Sequence, residues 1–426
     1  MTAQIGVINK KCIALATDSA VTLGRGNSLK SFNTADKLFQ LSKHVPVGIM
    51  IYNNAEFLGV PWELIIKQYR LHLGEKKLDY LNDYVQDFFS FIKELPVIKE
   101  KNIENNIISI ANNHVNVVLN RVSEKLQGVV NAQIVKDSIL NEFKAYRDFI
   151  KSKGSKFDNQ EYRDWLATYN NIIIELIKIK INVKDAKIID TEVNFILECI
   201  KEAILSEQYS EVLTGIVFAG YGEKQWYPRL YEYETEGIIG NEIKVREIKR
   251  PQIGIDEDGN ENNGTIITFA QSDMALNFLC GINPIFEKAI VDATCQICSS
   301  LAECVQETID FNGMSGVLEI TDDMRNILDT SGQSIFNTLY QHINKVKYEN
   351  FINPFLNMVE SLDKSQAAEL AESLVNLTSF KRKMSMDTET VGGPVDVAII
   401  SKGDGFVWIK RKHYFDISLN DHFKSK

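Results

Sequence analysis

Apolar and polar residues alternate with a period of two through the first fifty positions, broken by turns, and this predicts short strands over residues 4–8, 12–17, 37–41 and 45–51. Asn9-Lys10-Lys11 forms the tight connection between the first two. After Ala55 the spacing becomes helical. Trp62, Ile65, Ile66 and Tyr69 share one face, and Leu78, Leu81, Val85, Phe88, Phe89 and Ile92 line a second helix. Pro96 breaks the pattern, and from there to about residue 208 the chain is helical in spacing and rich in Asn, Lys, Glu and Ile, as an inserted helical subdomain would be. Strands return over residues 213–220 and 229–233 and again from near Thr265. Helical spacing then runs from Ser272 to about Met386, apart from a hairpin around residues 313–321. The chain closes on strands at 395–401 and 406–410, joined by Lys402-Gly403-Asp404-Gly405.

The resulting order is strands, two helices, a helical insertion, strands, helices, strands. It predicts an α+β protein and permits an αββα arrangement of two sheets between helical layers. With 426 residues, 44% of them hydrophobic, the chain has material for a large core. Its formal charge of −10 lacks the basic excess of a nucleic-acid-binding protein, and runs such as Lys381-Arg382-Lys383 and Lys410-Arg411-Lys412 are short enough to be solvated edges. No basic start followed by an apolar stretch marks a secretory leader, and the apolar run 172–181 is interrupted by Glu175, Lys178 and Lys180. A cytoplasmic protein without a membrane partner is expected.

The six cysteines are sparse for this length, so reduced thiols are expected. Cys295, Cys298 and Cys304 fall in a helical pattern with no histidine nearby, which makes a poor zinc site. Residues 256–264 have the composition of a calcium loop but lack its spacing and terminal ligand, so a solvated hairpin connection, whose turns Asp, Asn and Gly suit, is expected instead. No metal and no cofactor is expected.

Gly6-Val7 followed by Ile13-Ala14-Leu15-Ala16-Thr17-Asp18, then Thr34-Ala35-Asp36-Lys37-Leu38-Phe39-Gln40-Leu41 and Gly48-Ile49-Met50-Ile51, resemble the active-site strands of the proteasome β-subunit family, including its bacterial HslV and Anbu relatives. Val217-Phe218-Ala219-Gly220-Tyr221 with Pro228-Arg229-Leu230-Tyr231 is similar to the family's next hairpin. Ser365-Gln366-Ala367-Ala368-Glu369-Leu370-Ala371 and the run from Val391-Gly392-Gly393-Pro394 to Ile400 resemble its last helix and closing strands. The resemblance covers about half the chain. It implies a four-layer N-terminal nucleophile hydrolase sandwich whose core comes from residues 1–95, 211–281 and 361–426, with helical insertions at 96–210 and 282–360.

The same resemblance implies a catalytic set. Removal of Met1 would leave Thr2 with a free α-amine, whose reference pKa of about 7.7 to 8.0 suits it to accept the hydroxyl proton. Lys37 would favour the alkoxide electrostatically and Asp18 would orient Lys37. The turn at Tyr52-Asn53-Asn54 replaces the family's glycine turn, with the Asn53 backbone N–H as oxyanion donor. Ser272 and Asp387 stand nearest the family's supporting residues, although the chain reads Ala270-Gln271-Ser272-Asp273 and Asp387-Thr388-Glu389-Thr390-Val391 there. Val21, Ile51 and Ala55 fall where the substrate pocket lies. The expected protein is a threonine peptidase acting on peptides or unfolded protein, a homo-oligomer, with an ATP-dependent unfoldase as a further partner. A catalytically inactive structural subunit and a small-molecule amidase of the same class are the alternatives.

Overall fold

The computed structural model describes residues 2–23, 30–126, 128, 131–182, 187–255, 261–271, 273–311, 321–384, 391–413, 415 and 419–420. The strands and helices run in this order. First come β1 (Ala3–Asn9), β2 (Ile13–Thr17), β3 (Val21–Leu23), β4 (Lys30–Phe32), β5 (Leu38–Gln40), β6 (Val47–Asn53), β7 (Glu56–Phe57) and β8 (Val60–Pro61). Helices α1 (Trp62–Leu73), α2 (Leu81–Lys93), α3 (Glu100–Lys125), α4 (Ala132–Lys153), α5 (Gln160–Ala167), α6 (Asn170–Lys180) and α7 (Asp190–Leu205) follow. Then come β9 (Thr214–Gly220), β10 (Arg229–Ile239), β11 (Glu242–Ile248), β12 (Gly254–Ile255), β13 (Glu261–Asn262) and β14 (Gly264–Ala270). Helices α8 (Asp273–Cys280), α9 (Pro284–Ser299), α10 (Leu301–Phe311), α11 (Asp322–Lys347), a π-helical turn Tyr348–Ile352, α12 (Asn353–Ser361) and α13 (Lys364–Met384) lead to β15 (Asp396–Ser401) and β16 (Gly405–Lys410).

The protein is a mixed α+β structure with antiparallel sheets, and it divides into two compact units. The first holds Met1–Ala35, Ile253–Ile399 and Val407–Lys426. Its five-stranded sheet has the order β14-β1-β2-β15-β16. Both faces of β1 and β2 are buried. One face, with Ala3, Ile5, Val7, Ala14 and Ala16, packs on Ala367, Ala371 and Val375 of α13, where alanines let helix and sheet approach closely. The Asn9 side-chain amide donates to the carbonyls of Val359 and Leu362 at 3.0 and 3.1 Å, so the β1–β2 turn satisfies the open end of α12.

The second unit holds Asp36–Gln252 and Ile400–Phe406, with a sheet of order β11-β10-β9-β6-β5. Ile49, Ile51 and Phe218 meet Trp62, Ile65, Tyr69 and Phe88 of α1 and α2. Phe88 meets Tyr69 and Phe218 edge-on at 4.9 and 5.2 Å, a geometry worth about 1 kcal/mol per pair beyond area burial. Helices α3 to α7 build a separate apolar core around Ile110, Phe143, Ile173 and Ile200, joined to the sheet through Ile239.

Most elements fall where periodicity predicts them. Three findings differ. β10 continues past Tyr233 to Ile239, β11 pairs with it, and β3 and β4 form a small hairpin. Charged Glu242, Lys244, Arg246 and Glu247 obscure the strand pattern of β11. Flanking residues 256–260, β12 and β13 pair Gly254 with Asn262, and 256–260 themselves lie outside the described residues. So do residues 313–320 of the hairpin expected at 313–321. Thr321 caps α11, its hydroxyl accepting from Met324 N at 3.3 Å.

Candidate active site

The first unit brings Thr2 and Asp18 together. The pairing of Gln4 with Thr17 sets Ala3 opposite Asp18, one residue from Thr2. Asp18 N donates to Ala3 O at 3.1 Å, and Ala3 N donates to Asp18 Oδ1 at 3.1 Å. Asp18 Oδ2 accepts from both Ala20 N and Gly392 N, each at 3.1 Å. The carboxylate is therefore fully buried and held by N–H groups from three separate stretches of chain. Ser19 ties the same stretches together, with its N donating to Gly392 O at 3.1 Å and its hydroxyl to Pro394 O at 2.6 Å. Gly393 has φ of +76°, and a Cβ there would come within 2.7 Å of Asn33 Cβ, so this closing loop depends on glycine.

Thr2 is only 4% exposed, and its carbonyl accepts from Gln271 N at 3.0 Å. Just before Gln271, Ala270 sits at φ +58°, a left-handed conformation that costs an alanine roughly 1 kcal/mol or more. The buried Gln271 also accepts from Arg382 Nε of α13 at 3.0 Å. A strained residue, a sheet edge and a helix thus converge on the chain beside Thr2. Val21, half-buried, opens β3 opposite Phe32. Ser272 and Asp387 lie outside the described residues.

The second unit brings Lys37, Ile51 and Asn53 together. Lys37 precedes β5, is buried, and accepts at its carbonyl from Ile51 N at 2.9 Å, extending the β5–β6 ladder. The Ile51 side chain belongs to the apolar cluster under α1 and α2. Asn53 ends β6 with φ of +65°, a conformation that Asn adopts more readily than most residues. The next residues brace this turn. Asn54 Oδ1 accepts from Glu56 N at 3.2 Å, and Asn54 Nδ2 donates to Val212 O at 3.3 Å. Thr214 Oγ1 donates to Asn54 O at 3.3 Å and accepts from Trp62 Nε1 at 3.1 Å. Ala55 is exposed, and its carbonyl accepts from Trp62 N at 3.0 Å.

Sequence reasoning overlooked the support behind Asn53. Tyr52 OH donates to Glu232 Oε1 at 2.5 Å, and Arg250 holds the other carboxylate oxygen. Burial, reinforced by Glu232, pushes the Tyr52 phenol well above its ordinary range, so it remains a proton donor. The ring lies over Gly215, and this glycine in an apolar strand was the available signal. Among the described residues no group of three or more His, Cys, Asp or Glu is placed to hold a metal ion. No single described helix is long and apolar enough to cross a membrane. No protein-family model matches the chain, and comparison with curated proteins finds no match either.

Proposed function

We propose that this chain is a threonine-type endopeptidase of the proteasome-like N-terminal nucleophile class, an αββα sandwich with two helical insertions. The observation that carries this reading is Asp18: a buried carboxylate clamps the Ala3 N–H and so fixes the chain beside Thr2 at the head of an inner strand. Two five-stranded antiparallel sheets, each with a helical layer on one face, support the layered core.

With Met1 removed, the Thr2 α-amine takes the hydroxyl proton as the oxygen attacks a peptide carbonyl, and later returns a proton to the leaving amine. The resemblance gives Lys37 the role of favouring the developing alkoxide, and Asp18 holds the chain beside Thr2 in register. The Asn53 N–H, in its left-handed turn, donates to the oxyanion. Substrates are peptides or unfolded segments, delivered to a homo-oligomer or by an ATP-dependent unfoldase.

Intact mass should show a mature N-terminal Thr2. A Thr2→Ala chain should keep its circular dichroism spectrum while losing turnover of fluorogenic peptides by about a thousandfold or more. A protein that retains Met1 would leave no free amine and favour the inactive-subunit reading. Undiminished turnover in Thr2→Ala would refute the mechanism.

A further inference from the structure

Nearly half of the exposed large hydrophobic side chains among the described residues lie between Phe278 and Met358, less than a fifth of the chain. Scattered surface hydrophobics are ordinary, but a concentrated set marks a surface that is covered in use. The set has an axis in α11. Met324, Leu328, Ser331, Ile335, Leu339 and Val346 recur at intervals of three, four or seven residues and form one stripe. All but the half-buried Leu328 are exposed.

A neighbouring face of α11 is already occupied. Lys347 pairs with Glu287 near the start of α9, and Gly332 passes Cys298 O near its end, so the two helices run antiparallel. A Cβ at position 332 would come within 2.1 Å of that carbonyl, so glycine permits the close packing. The stripe lies to one side of this packed face and, apart from Leu328, is exposed.

Charge selects the occupant. Over residues 284–352 carboxylates outnumber Lys and Arg ten to four, which repels an anionic lipid surface. Along α11 the charge is polar, with Asp322 and Asp323 in the first turn and Lys345 and Lys347 in the last. Asp323 and Lys345 are 22 residues apart, which at about 100° per residue places them within about 40° of each other, on one edge of the stripe. Their midpoint is Ser334, beside Ile335. A second α11 laid antiparallel therefore sets the acidic end of one copy against the basic end of the other and the stripe against itself. The pair that Lys345 makes within its own chain, with Glu349 at 3.9 Å, is exposed and contributes little.

We infer that this stripe docks a second copy of the chain, α11 against α11 about a two-fold axis level with Ser334 and Ile335. The dimer does not depend on the role of Thr2. Sedimentation velocity of the full chain from about 0.1 to 50 µM tests it and should show a dimer. Ile335→Asp sets two carboxylates face to face at the axis and should raise the dimer Kd by about 100-fold or more. Asp323→Lys and Lys345→Asp should each weaken the dimer by about tenfold, and the double exchange should restore it, because the reversed charges meet only across the two-fold. These positions are exposed, so unchanged circular dichroism melting separates dissociation from misfolding. A monomer throughout, a dimer insensitive to Ile335→Asp, a double variant no better than the singles, or flotation of the wild-type chain with phosphatidylcholine vesicles would each overturn the inference.

Discussion

Asp18 accepts backbone hydrogen bonds from Ala3, Ala20 and Gly392, and only a group with acceptors on both branches satisfies all three. In Asp18→Asn the amide nitrogen turns a donor toward at least one N–H, leaving that donor buried and unpaired. A loss of about 2 to 3 kcal/mol is expected, measured by urea unfolding with Asp18→Ala as reference. A loss below about 0.5 kcal/mol would show that the clamp is not needed. That Asp18 directly follows the second strand was legible in the sequence, where the strand pattern ends at Thr17. Its partners were not, because Gly392 lies 374 positions away and only the closed sheet brings it there. The same holds for Gln271, whose tie to Arg382 spans 111 positions.

Among the elements, β6 is buried along all but its last residue, so its register with β9 is fixed from both faces. Tyr52 lies opposite Gly215, and a Cβ at 215 would fall 1.8 Å from the ring. Gly215→Ala must displace Tyr52 from Glu232 or bend β9, costing about 2 to 4 kcal/mol on thermal unfolding. The companion Tyr52→Phe keeps the ring and loses only the hydroxyl bond, so a smaller loss there is expected. Equal losses would mean that the hydrogen bond, not the close approach, dominates. Elements whose buried side chains keep one period, such as α1, α2 and β1, were legible along the chain. β11 was not, because Lys244 is a buried cation inside the strand and breaks the apolar alternation. Only the partner carboxylate, Glu236 on the neighbouring strand, makes that lysine intelligible.

That ion pair lies in the seam between α3 to α7 and the sheet of the second unit. Lys244 and Glu236 meet at 2.7 Å with almost no exposure, Lys244 donates to Ile204 O at 2.8 Å, and Ser210 N donates to Glu236 Oε1 at 2.6 Å. His114 of α3 lies in the same seam, its Nδ1 2.7 Å from Tyr146 OH, and Arg121 stands over the Tyr146 ring. Burial pushes His114 down to about 4, with Lys244 adding to the effect and Glu236 opposing it. Burial acts to raise the Glu236 carboxyl, but Lys244, His114 and the Ser210 N–H together hold it below the usual range. In the folded state His114 is thus neutral between about pH 4 and 6.5, whereas in the unfolded chain it takes up a proton near the ordinary histidine value of 6.5. The unfolded state binds more protons across that interval, so stability must fall as pH falls, by up to about 3 kcal/mol. The Glu236 contribution is lost only at still lower pH, toward and below about 4.5. In His114→Gln, which keeps a polar partner for Tyr146, the stability difference between pH 7 and pH 4.5 should shrink by about 2 to 3 kcal/mol relative to wild type in urea titrations. Identical slopes for the two proteins would mean that protonation of His114 is not what opens the seam, and that the acid sensitivity of the helical segment resides in its carboxylates instead.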